Sequence, residues 1–166
     1  VSVIILCAGI SSRFKSSVPK QLYKINQKSL LQINLENFSE NKFVEEIVVV
    51  SAKKYLEETT EISENFTSQI VIGGDTRQQS VFKGLKELEK NPPKFVLIHD
   101  CARPFVSQNL INKIVKNASL KNAVIPAVKI VDSVKRITPT KSEVLNRENL
   151  FAIQTPQCFP FRVIYN

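Results

Sequence analysis

The chain has 166 residues, of which 43% are hydrophobic and 23% are charged, and this size suits one domain around a single core. No apolar run approaches the roughly 20 residues of a membrane-spanning helix. The formal net charge of +8 favours anionic partners, but basic runs with interleaved aromatic residues are absent, which argues against nucleic acid. We therefore expect small phosphorylated ligands, with the remaining basic residues solvated.

The cysteine and histidine content narrows the chemistry further. The three cysteines lack metal-binding spacing, and the apolar first residues lack a basic leader, so we expect reduced thiols in the cytoplasm. A single histidine, His99, leaves little material for a histidine metal site or a Ser-His-Asp triad. We expect His99 to have a structural role.

Short apolar, β-branched runs alternate with amphipathic stretches along the chain. Strands are predicted at residues 3–6, 46–51, 69–72, 95–98 and 123–128. Helices are predicted at 29–38, 55–63, 76–92 and 108–118, where apolar residues recur at helical spacing. This alternation predicts a single α/β domain over 1–166, with a mostly parallel sheet and helices on both faces. Residues 129–150 break the rhythm around Pro139 and predict a β-arm outside the core.

Ligands in such folds bind outside the carboxyl ends of the strands, here the loops after Leu6, Ile72, Ile98 and Val128. All four loops are rich in polar, small or charged residues. Core packing alone does not require that distribution. We therefore expect the ligand site at this edge of the sheet.

The loop after the first strand reads CAGISSRFKSSVPKQ. Its small residues Ala8 and Gly9 let backbone amides approach a phosphate, and Ser12 adds a donor. Arg13 and Lys20 supply positive charge for a triphosphate and for the charge that develops during its transfer. The loop matches neither the three-glycine dinucleotide fingerprint nor a P-loop. A polar turn with exposed basic residues remains the alternative.

Two further loops carry candidate ligands. In HDCARPF, Asp100 suits Mg²⁺, which usually takes one or two carboxylates plus phosphates and water, and Arg103 could hold a second phosphate. A structural Asp100–Arg103 pair is the alternative. In GGDTRQQS, the backbone near Asp75 and Ser80 could contact a base or ribose. A glycine turn with a helix cap, in which Arg77 joins neighbouring loops, explains that segment equally well.

Together these motifs resemble the 2-C-methyl-D-erythritol 4-phosphate cytidylyltransferase family over essentially the whole chain. The resemblance is carried by LCAGISSRF, PKQL, IGGDTRQQSVFKGL, VLIHDCARPF, VKIVDSVKR and NRENLFAIQTPQCF. It implies a Rossmann-like three-layer sandwich of the nucleotide-diphospho-sugar transferase type. It also implies Mg²⁺-dependent transfer of CMP from CTP to 2-C-methyl-D-erythritol 4-phosphate, releasing pyrophosphate, in isoprenoid precursor biosynthesis. A homodimer formed through the arm is implied as well.

The resemblance assigns roles by position. Arg13 and Lys20 match the catalytic basic pair that binds the triphosphate and stabilises the transition state, and Asp100 matches the magnesium ligand. The other positions that match nucleotide-binding residues are Cys7, Ala8, Gly9, Ser12, Gly74, Asp75 and Ser80. The positions that match the acceptor site are Arg103, Ser133, Arg147 and Thr155, of which Ser133 and Arg147 are expected to reach across a dimer.

The sequence departs from the family pattern in places. Cys7 and Cys101 stand where alanine is usual, and we expect both to be small buried residues without a redox function. After QTPQ the family continues with a Thr-Asp-Asp-like segment and an Asn-x-Lys-x-Thr segment, and neither is present. We therefore expect the carboxyl-terminal part of the family domain to be missing from this sequence.

Four alternatives compete with this function. Ribitol 5-phosphate could be the acceptor, or the chain could be a fragment of a bifunctional enzyme fused to a cyclodiphosphate synthase. A sugar-transferring enzyme of similar fold would usually place a D-x-D pair at the metal, whereas Asp100 stands alone here. A non-catalytic binding or regulatory module is the fourth alternative. A natural end at Asn166 would favour it, because the acceptor site would then be incomplete.

Overall fold

A five-stranded sheet forms the centre of the computed structural model, which describes residues 1–9, 18–66 and 68–165. Its strands are β1 (Ser2–Cys7), β4 (Glu46–Ser51), β5 (Ser68–Ile72), β6 (Phe95–Asp100) and β11 (Gln157–Pro160). They lie in the order β11-β6-β1-β4-β5, with the last four parallel to one another and β11 antiparallel to β6. The predicted α/β class with a mostly parallel sheet is therefore confirmed.

Helices cover both faces of this sheet. They are α1 (Leu30–Ser39), α2 (Leu56–Ser63), α3 (Arg77–Leu88), α4 (Gln108–Lys116) and the short α5 (Phe161–Tyr165). Leu35 of α1 and Ile111 of α4 share one apolar cluster with Val3 of β1. Leu85 of α3 shares the other cluster with Ile4, the next residue of the same strand. Because consecutive strand residues point to opposite faces, the apolar run of β1 is buried on both sides.

Three of the helices have an N-terminal side-chain cap. Ser29 accepts a hydrogen bond from the backbone N–H of Gln32 at 3.0 Å, and Ser107 accepts one from Leu110 at 3.2 Å. Thr76 and Gln79 form a reciprocal capping box at the start of α3. The capping box holds the first turn of α3 directly after the glycine loop that follows β5.

None of the helices in the described ranges is long and apolar enough to cross a bilayer.

The fifth predicted core strand, at 123–128, is wrong. Ala127–Lys129 forms a short strand, β7, that pairs antiparallel with β10 (Phe151–Ile153) outside the main sheet. Val124 makes only an isolated bridge, exchanging two backbone hydrogen bonds of 2.9 Å with Cys158. Pro126 has no N–H to donate and so interrupts a continuous ladder here. The edge beside β6 belongs to β11 instead.

The predicted arm is present as a β-hairpin. Its strands are β8 (Val134–Ile137) and β9 (Ser142–Leu145), which pair antiparallel. The connecting turn contains Pro139, and the N–H of Thr138 donates to the carbonyl of Lys141 at 2.8 Å. Together with β7 and β10, this hairpin lies outside the five-stranded sheet.

A second, smaller hairpin was not predicted. It consists of β2 (Lys24–Ile25) and β3 (Lys28–Ser29). Asn26 and Gln27 connect the strands with φ values of 47° and 69°. Two consecutive positive φ values define the type I′ turn that matches the twist of a two-residue hairpin. Asn favours this region but Gln does not, so the dipeptide was a weak signal in the sequence.

Candidate functional site

The carboxyl ends of β1 and β6 lie side by side, since Leu6 pairs in register with Asp100. The N–H of Cys101 donates to the carbonyl of Leu6 at 3.2 Å, which continues the pairing beyond the strand. Cys7 and Cys101 are both buried at this point, in agreement with the expectation of small buried residues. Burial, followed by the hydrogen bond to Cys101, raises the pKa of the Cys7 thiol well above its usual value.

Asp100 lies between two arginines. Arg77, in the first turn of α3, donates to Oδ1 of Asp100 from Nε at 3.1 Å and from Nη2 at 3.0 Å. Nε of Arg103 lies 3.9 Å from Oδ2 of the same carboxylate. The Asp100–Arg103 pair foreseen as an alternative is thus present, but the closer partner is Arg77. The three side chains join the end of β6 to the start of α3.

The surroundings of Asp100 fit magnesium better than a transition metal. Over residues 1–9, 18–66 and 68–165, no three His, Cys, Asp or Glu side chains come close enough together to hold a metal ion. Mg²⁺ needs only one or two carboxylates and completes its shell with phosphate oxygens and water. A single carboxylate beside two guanidinium groups that can bind phosphates matches this donor set.

The glycine loop after β5 is held by its own helix. The N–H of Gly74 donates to Oγ of Ser80 at 3.1 Å, and the N–H of Asp75 donates to Oε1 of Gln79 at 2.8 Å. Gly73 approaches the first loop so closely that an added Cβ would lie 2.4 Å from Cβ of Ala8. Two predicted nucleotide loops are therefore in contact. Gly73 was not among the predicted site residues, although the Gly-Gly pair marked the position.

A cavity of about 1050 Å³ opens beside this glycine loop. Its walls come from the loop, from α3 and from β11 and α5. The polar lining includes Asp75, Arg77 and Lys83, and the apolar lining includes Phe82 and Phe159. Lys83 also donates to the carbonyl of Gly73 at 2.9 Å. The cavity is large enough for a small ligand with both polar and apolar parts.

Lys20 lies between the first loop and the loop after β6. It begins a short 3₁₀ turn, Lys20–Leu22. It lines a small space of about 70 Å³ together with Gly9 and Cys101. This places Lys20 close to the loop that carries Asp100. The predicted site residues Ser12 and Arg13 lie outside the described residues.

Three of the predicted residues meet at a second cavity, of about 530 Å³. Lys20, Arg103 and Thr155 all line it, together with apolar side chains that include Tyr23 and Phe105. Arg103 also donates a hydrogen bond from Nη1 to Oε1 of Gln154, the residue before Thr155. Thr155 is largely buried, with 7% of its surface exposed. Basic groups and a hydroxyl therefore share one concave surface.

The two arm residues lie elsewhere. Ser133 and Arg147 are exposed on the arm, and Arg147 donates from Nη1 to the carbonyl of Val131. Among the described residues that line the 530 Å³ cavity, neither is included. Within one chain the structure thus brings together Lys20, Arg103 and Thr155 but not the predicted arm contributors.

His99 has more contacts than the sequence indicated. It is fully buried and packs edge-on against Phe38, with ring centroids 5.0 Å apart. Nε2 lies 3.0 Å from the carbonyl oxygen of Arg103, and Nδ1 lies 3.0 Å from Oγ1 of Thr155. Burial is the main cause that lowers the pKa of His99 to about 4. A lone histidine immediately before Asp100 was the available signal.

Comparison with known proteins agrees with the fold and the motifs. A model of the 2-C-methyl-D-erythritol 4-phosphate cytidylyltransferase family matches residues 1–166. The enzyme of that name from Clostridium botulinum strain Langeland is 39% identical over 170 residues, which cover 98% of this chain and 73% of the relative.

Solved structures show the same similarity. The 4-diphosphocytidyl-2C-methyl-D-erythritol synthase of Anaerococcus prevotii superposes with a TM-score of 0.82 at 33% identity, covering 99% of this chain and 71% of the other. The bifunctional IspDF of Campylobacter jejuni superposes with a TM-score of 0.82 at 32% identity, covering 99% of this chain and 42% of the other.

Proposed function

Since the chain belongs to the 2-C-methyl-D-erythritol 4-phosphate cytidylyltransferase family, we propose that it transfers the cytidylyl group of CTP to 2-C-methyl-D-erythritol 4-phosphate, with release of pyrophosphate. The observation that carries the proposal is the position of Asp100 at the carboxyl end of β6, between Arg77 and Arg103 and beside the loop after β1. Carboxylate and guanidinium groups at one sheet edge suit a metal-bound triphosphate.

The reaction is an in-line displacement. A phosphate oxygen of the acceptor attacks the α-phosphorus of CTP, a new P–O bond forms, and the bond to the β-phosphate oxygen breaks. The acceptor phosphate is already ionised near neutral pH, so no general base is required. The protein therefore acts by positioning the reactants and neutralising charge.

Basic side chains carry most of this work. Lys20 and Arg13 hold the triphosphate and stabilise the charge that develops on the transferred group. Mg²⁺ bound to Asp100 supplies additional positive charge for the phosphates when it is present. If Asp100 held Mg²⁺, the guanidinium groups of Arg77 and Arg103 would be available for phosphate oxygens. Neither a catalytic histidine nor a catalytic cysteine is needed.

The two cavities suit the two substrates. The 1050 Å³ cavity beside Asp75 is the candidate site for the cytidine part of CTP. The loop of Cys7, Ala8, Gly9 and Ser12, assigned from the family motif, is the candidate site for its phosphates. The 530 Å³ cavity with Arg103 and Thr155 is the candidate acceptor site. Gly74 and Ser80 support the first of these by holding the glycine loop in shape.

We further propose that two copies of the chain associate through the arm. The arm exposes three large apolar side chains, Val131, Ile137 and Val144, which are 76%, 76% and 69% exposed. Exposed apolar side chains that lie together often mark a surface that contacts another protein. In a dimer, Ser133 and Arg147 would reach the acceptor site of the partner. The three free cysteines suit a reducing compartment, and we place the reaction in the cytoplasm.

Pyrophosphate release tests the function directly. The purified protein is incubated with CTP, Mg²⁺ and 2-C-methyl-D-erythritol 4-phosphate, and each component is omitted in turn. We expect release only with all three, and slower release when ribitol 5-phosphate replaces the acceptor. Equal or faster turnover with ribitol 5-phosphate would contradict the assigned acceptor. Absence of turnover with either acceptor would contradict the function.

A further inference from the structure

His99 joins the two loops that line the candidate acceptor cavity. Its ring contacts the backbone of the loop after β6 on one side, through the carbonyl of Arg103, and the side chain of Thr155 on the other. Both distances are 3.0 Å, and the ring is fully buried.

The two contacts determine where the protons lie. The carbonyl oxygen of Arg103 can only accept a hydrogen bond, so Nε2 of His99 must carry the hydrogen that faces it. In the neutral ring, Nδ1 is then an acceptor. The ring is fully buried, and burial disfavours the charged form, so we take the ring as neutral. Thr155 must therefore donate its one hydroxyl proton to Nδ1.

This leaves Oγ1 of Thr155 with lone pairs only. The N–H of Asp100 approaches one of them at 3.4 Å, and a hydroxyl oxygen has two. One lone pair of Oγ1 therefore remains, and Thr155 lines the 530 Å³ cavity. A ligand group that binds this lone pair must donate a hydrogen bond, because a phosphate or carboxylate oxygen would itself present a lone pair.

We propose that His99 is a positioning residue that directs the proton of Thr155 inward, so that Thr155 accepts a hydrogen bond from a hydroxyl of the acceptor alcohol. The proposal rests on the acceptor site assigned above. Thr155 and Arg103, which line the same cavity, then select opposite ends of one substrate. Thr155 recognises the hydroxyl end, while Arg103 attracts the phosphate end.

The proton positions can be measured without any turnover. His99 is the only histidine in the sequence, so two-bond ¹H–¹⁵N correlations of the ring need no assignment. Near neutral pH we expect a protonated Nε2 and an unprotonated Nδ1. Thr155→Val should shift the Nδ1 resonance towards that of a free acceptor and leave Nε2 protonated. A protonated Nδ1, or an Nδ1 resonance unchanged by Thr155→Val, would overturn the proposal.

Two substitutions of His99 separate its two contacts. In His99→Asn the side-chain oxygen replaces Nδ1 as acceptor for Thr155, and in His99→Gln the amide nitrogen replaces Nε2 as donor to Arg103. We expect His99→Gln to raise the KM for the acceptor about five- to tenfold, as for one lost hydrogen bond, and His99→Asn to raise it by less than about threefold. The KM for CTP should change little in either variant.

The background of Thr155→Val supplies the control. If His99 acts through the Thr155 hydroxyl, the KM for the acceptor should not differ between His99→Asn and His99→Gln when Thr155 is replaced by Val. With Thr155→Ser, which keeps a hydroxyl, the difference in KM should return. A difference that persists without the hydroxyl would contradict the proposal. Should a histidine variant fail to fold, the resonances of Thr155→Val decide the question. If the protein without substitutions shows no turnover, the proposed function is contradicted, but the measured proton positions of His99 still test the proposal.

Discussion

Asp100 is held by contacts that a ligand can displace. Its pairs with Arg77 and Arg103 are partly exposed, and exposed ion pairs contribute only about 0–1 kcal/mol. In the proposed reaction, a metal-bound triphosphate would therefore displace both guanidinium groups at small cost. The two arginines would then be available to bind its phosphates.

Lys20 should matter for catalysis far more than for folding. We expect Lys20→Ala to lower kcat/KM by about 100-fold or more, because a preorganised charge at the transferred phosphate is lost. The free energy of unfolding should change by less than about 0.5 kcal/mol, as for other residues outside the core. Steady-state kinetics and urea unfolding measure the two quantities. Lys24→Ala, at an exposed position on β2, is the matched control and should keep normal turnover.

The buried His99 should make stability depend on pH. Its pKa is about 4 in the folded protein against an ordinary value of 6.5, so the unfolded chain takes up the proton first as the pH falls. The free energy of unfolding should decrease from pH 6.5 to pH 4, by at most about 3 kcal/mol from this residue. Urea unfolding without Mg²⁺ or nucleotide measures it. His99→Asn should show a smaller decrease, and parallel curves would refute the assignment.

At the scale of elements, the site depends on close contacts between loops that follow the parallel strands of the main sheet. β1 lies between β4 and β6, and Gly73, after β5, reaches across to Ala8, after β1. The capping box at Thr76 then orients α3 so that Arg77 faces Asp100. Each loop is positioned by a strand or helix that packs into the core, which keeps the polar groups in place without a ligand.

Gly73→Ala tests this loop contact. The new Cβ would lie 2.4 Å from Cβ of Ala8 and 2.9 Å from Oγ of Ser80, so the loops must separate. We expect a loss of about 1–3 kcal/mol in the free energy of unfolding and an increase in the KM for CTP. Gly9→Ala is the control for stability, since, apart from Gly9 itself and its chain neighbours, no atom of residues 1–9, 18–66 or 68–165 lies within 4 Å of its added Cβ. Similar losses in both variants would contradict the packing argument.

At the scale of the whole molecule, the arm exposes apolar side chains that a single chain leaves uncovered. In the hairpin, Val144 is directly opposite Lys135, and Ile137 is opposite Ser142. Paired residues of a ladder share a face, so Ile137 and Val144 lie on the same side. Both are largely exposed. An apolar stripe on a protruding hairpin is best covered by another protein surface.

Charging this stripe should weaken association. We expect the double substitution Ile137→Lys and Val144→Lys to raise the dimer dissociation constant by about tenfold or more, because lysines would be desolvated in the interface. Sedimentation velocity over a range of concentrations measures the constant. Leu120→Lys, at another exposed apolar position outside the arm, should leave it unchanged. A chain that is monomeric before substitution would refute the dimer itself.

Much of the architecture follows from local patterns. The apolar runs predicted β1, β4, β5 and β6 to within a few residues, and Thr76 marked the start of α3, because burial and capping act over a few neighbouring positions. The order of the motifs identified the family. Asp100 could be singled out as a candidate site residue because it is a charged residue at the end of a buried strand.

What the tertiary structure alone decided depends on contacts between distant residues. Arg77 and Asp100 are 23 positions apart, and His99 and Thr155 are 56 apart, so neither pairing has a local pattern. The same reason explains why 123–128 was assigned to the main sheet. Its composition suits a strand, but the choice between this segment and β11 for the edge beside β6 rests on long-range packing. The sequence by itself determined which elements form and which residues carry charge, and the fold decided which of them meet.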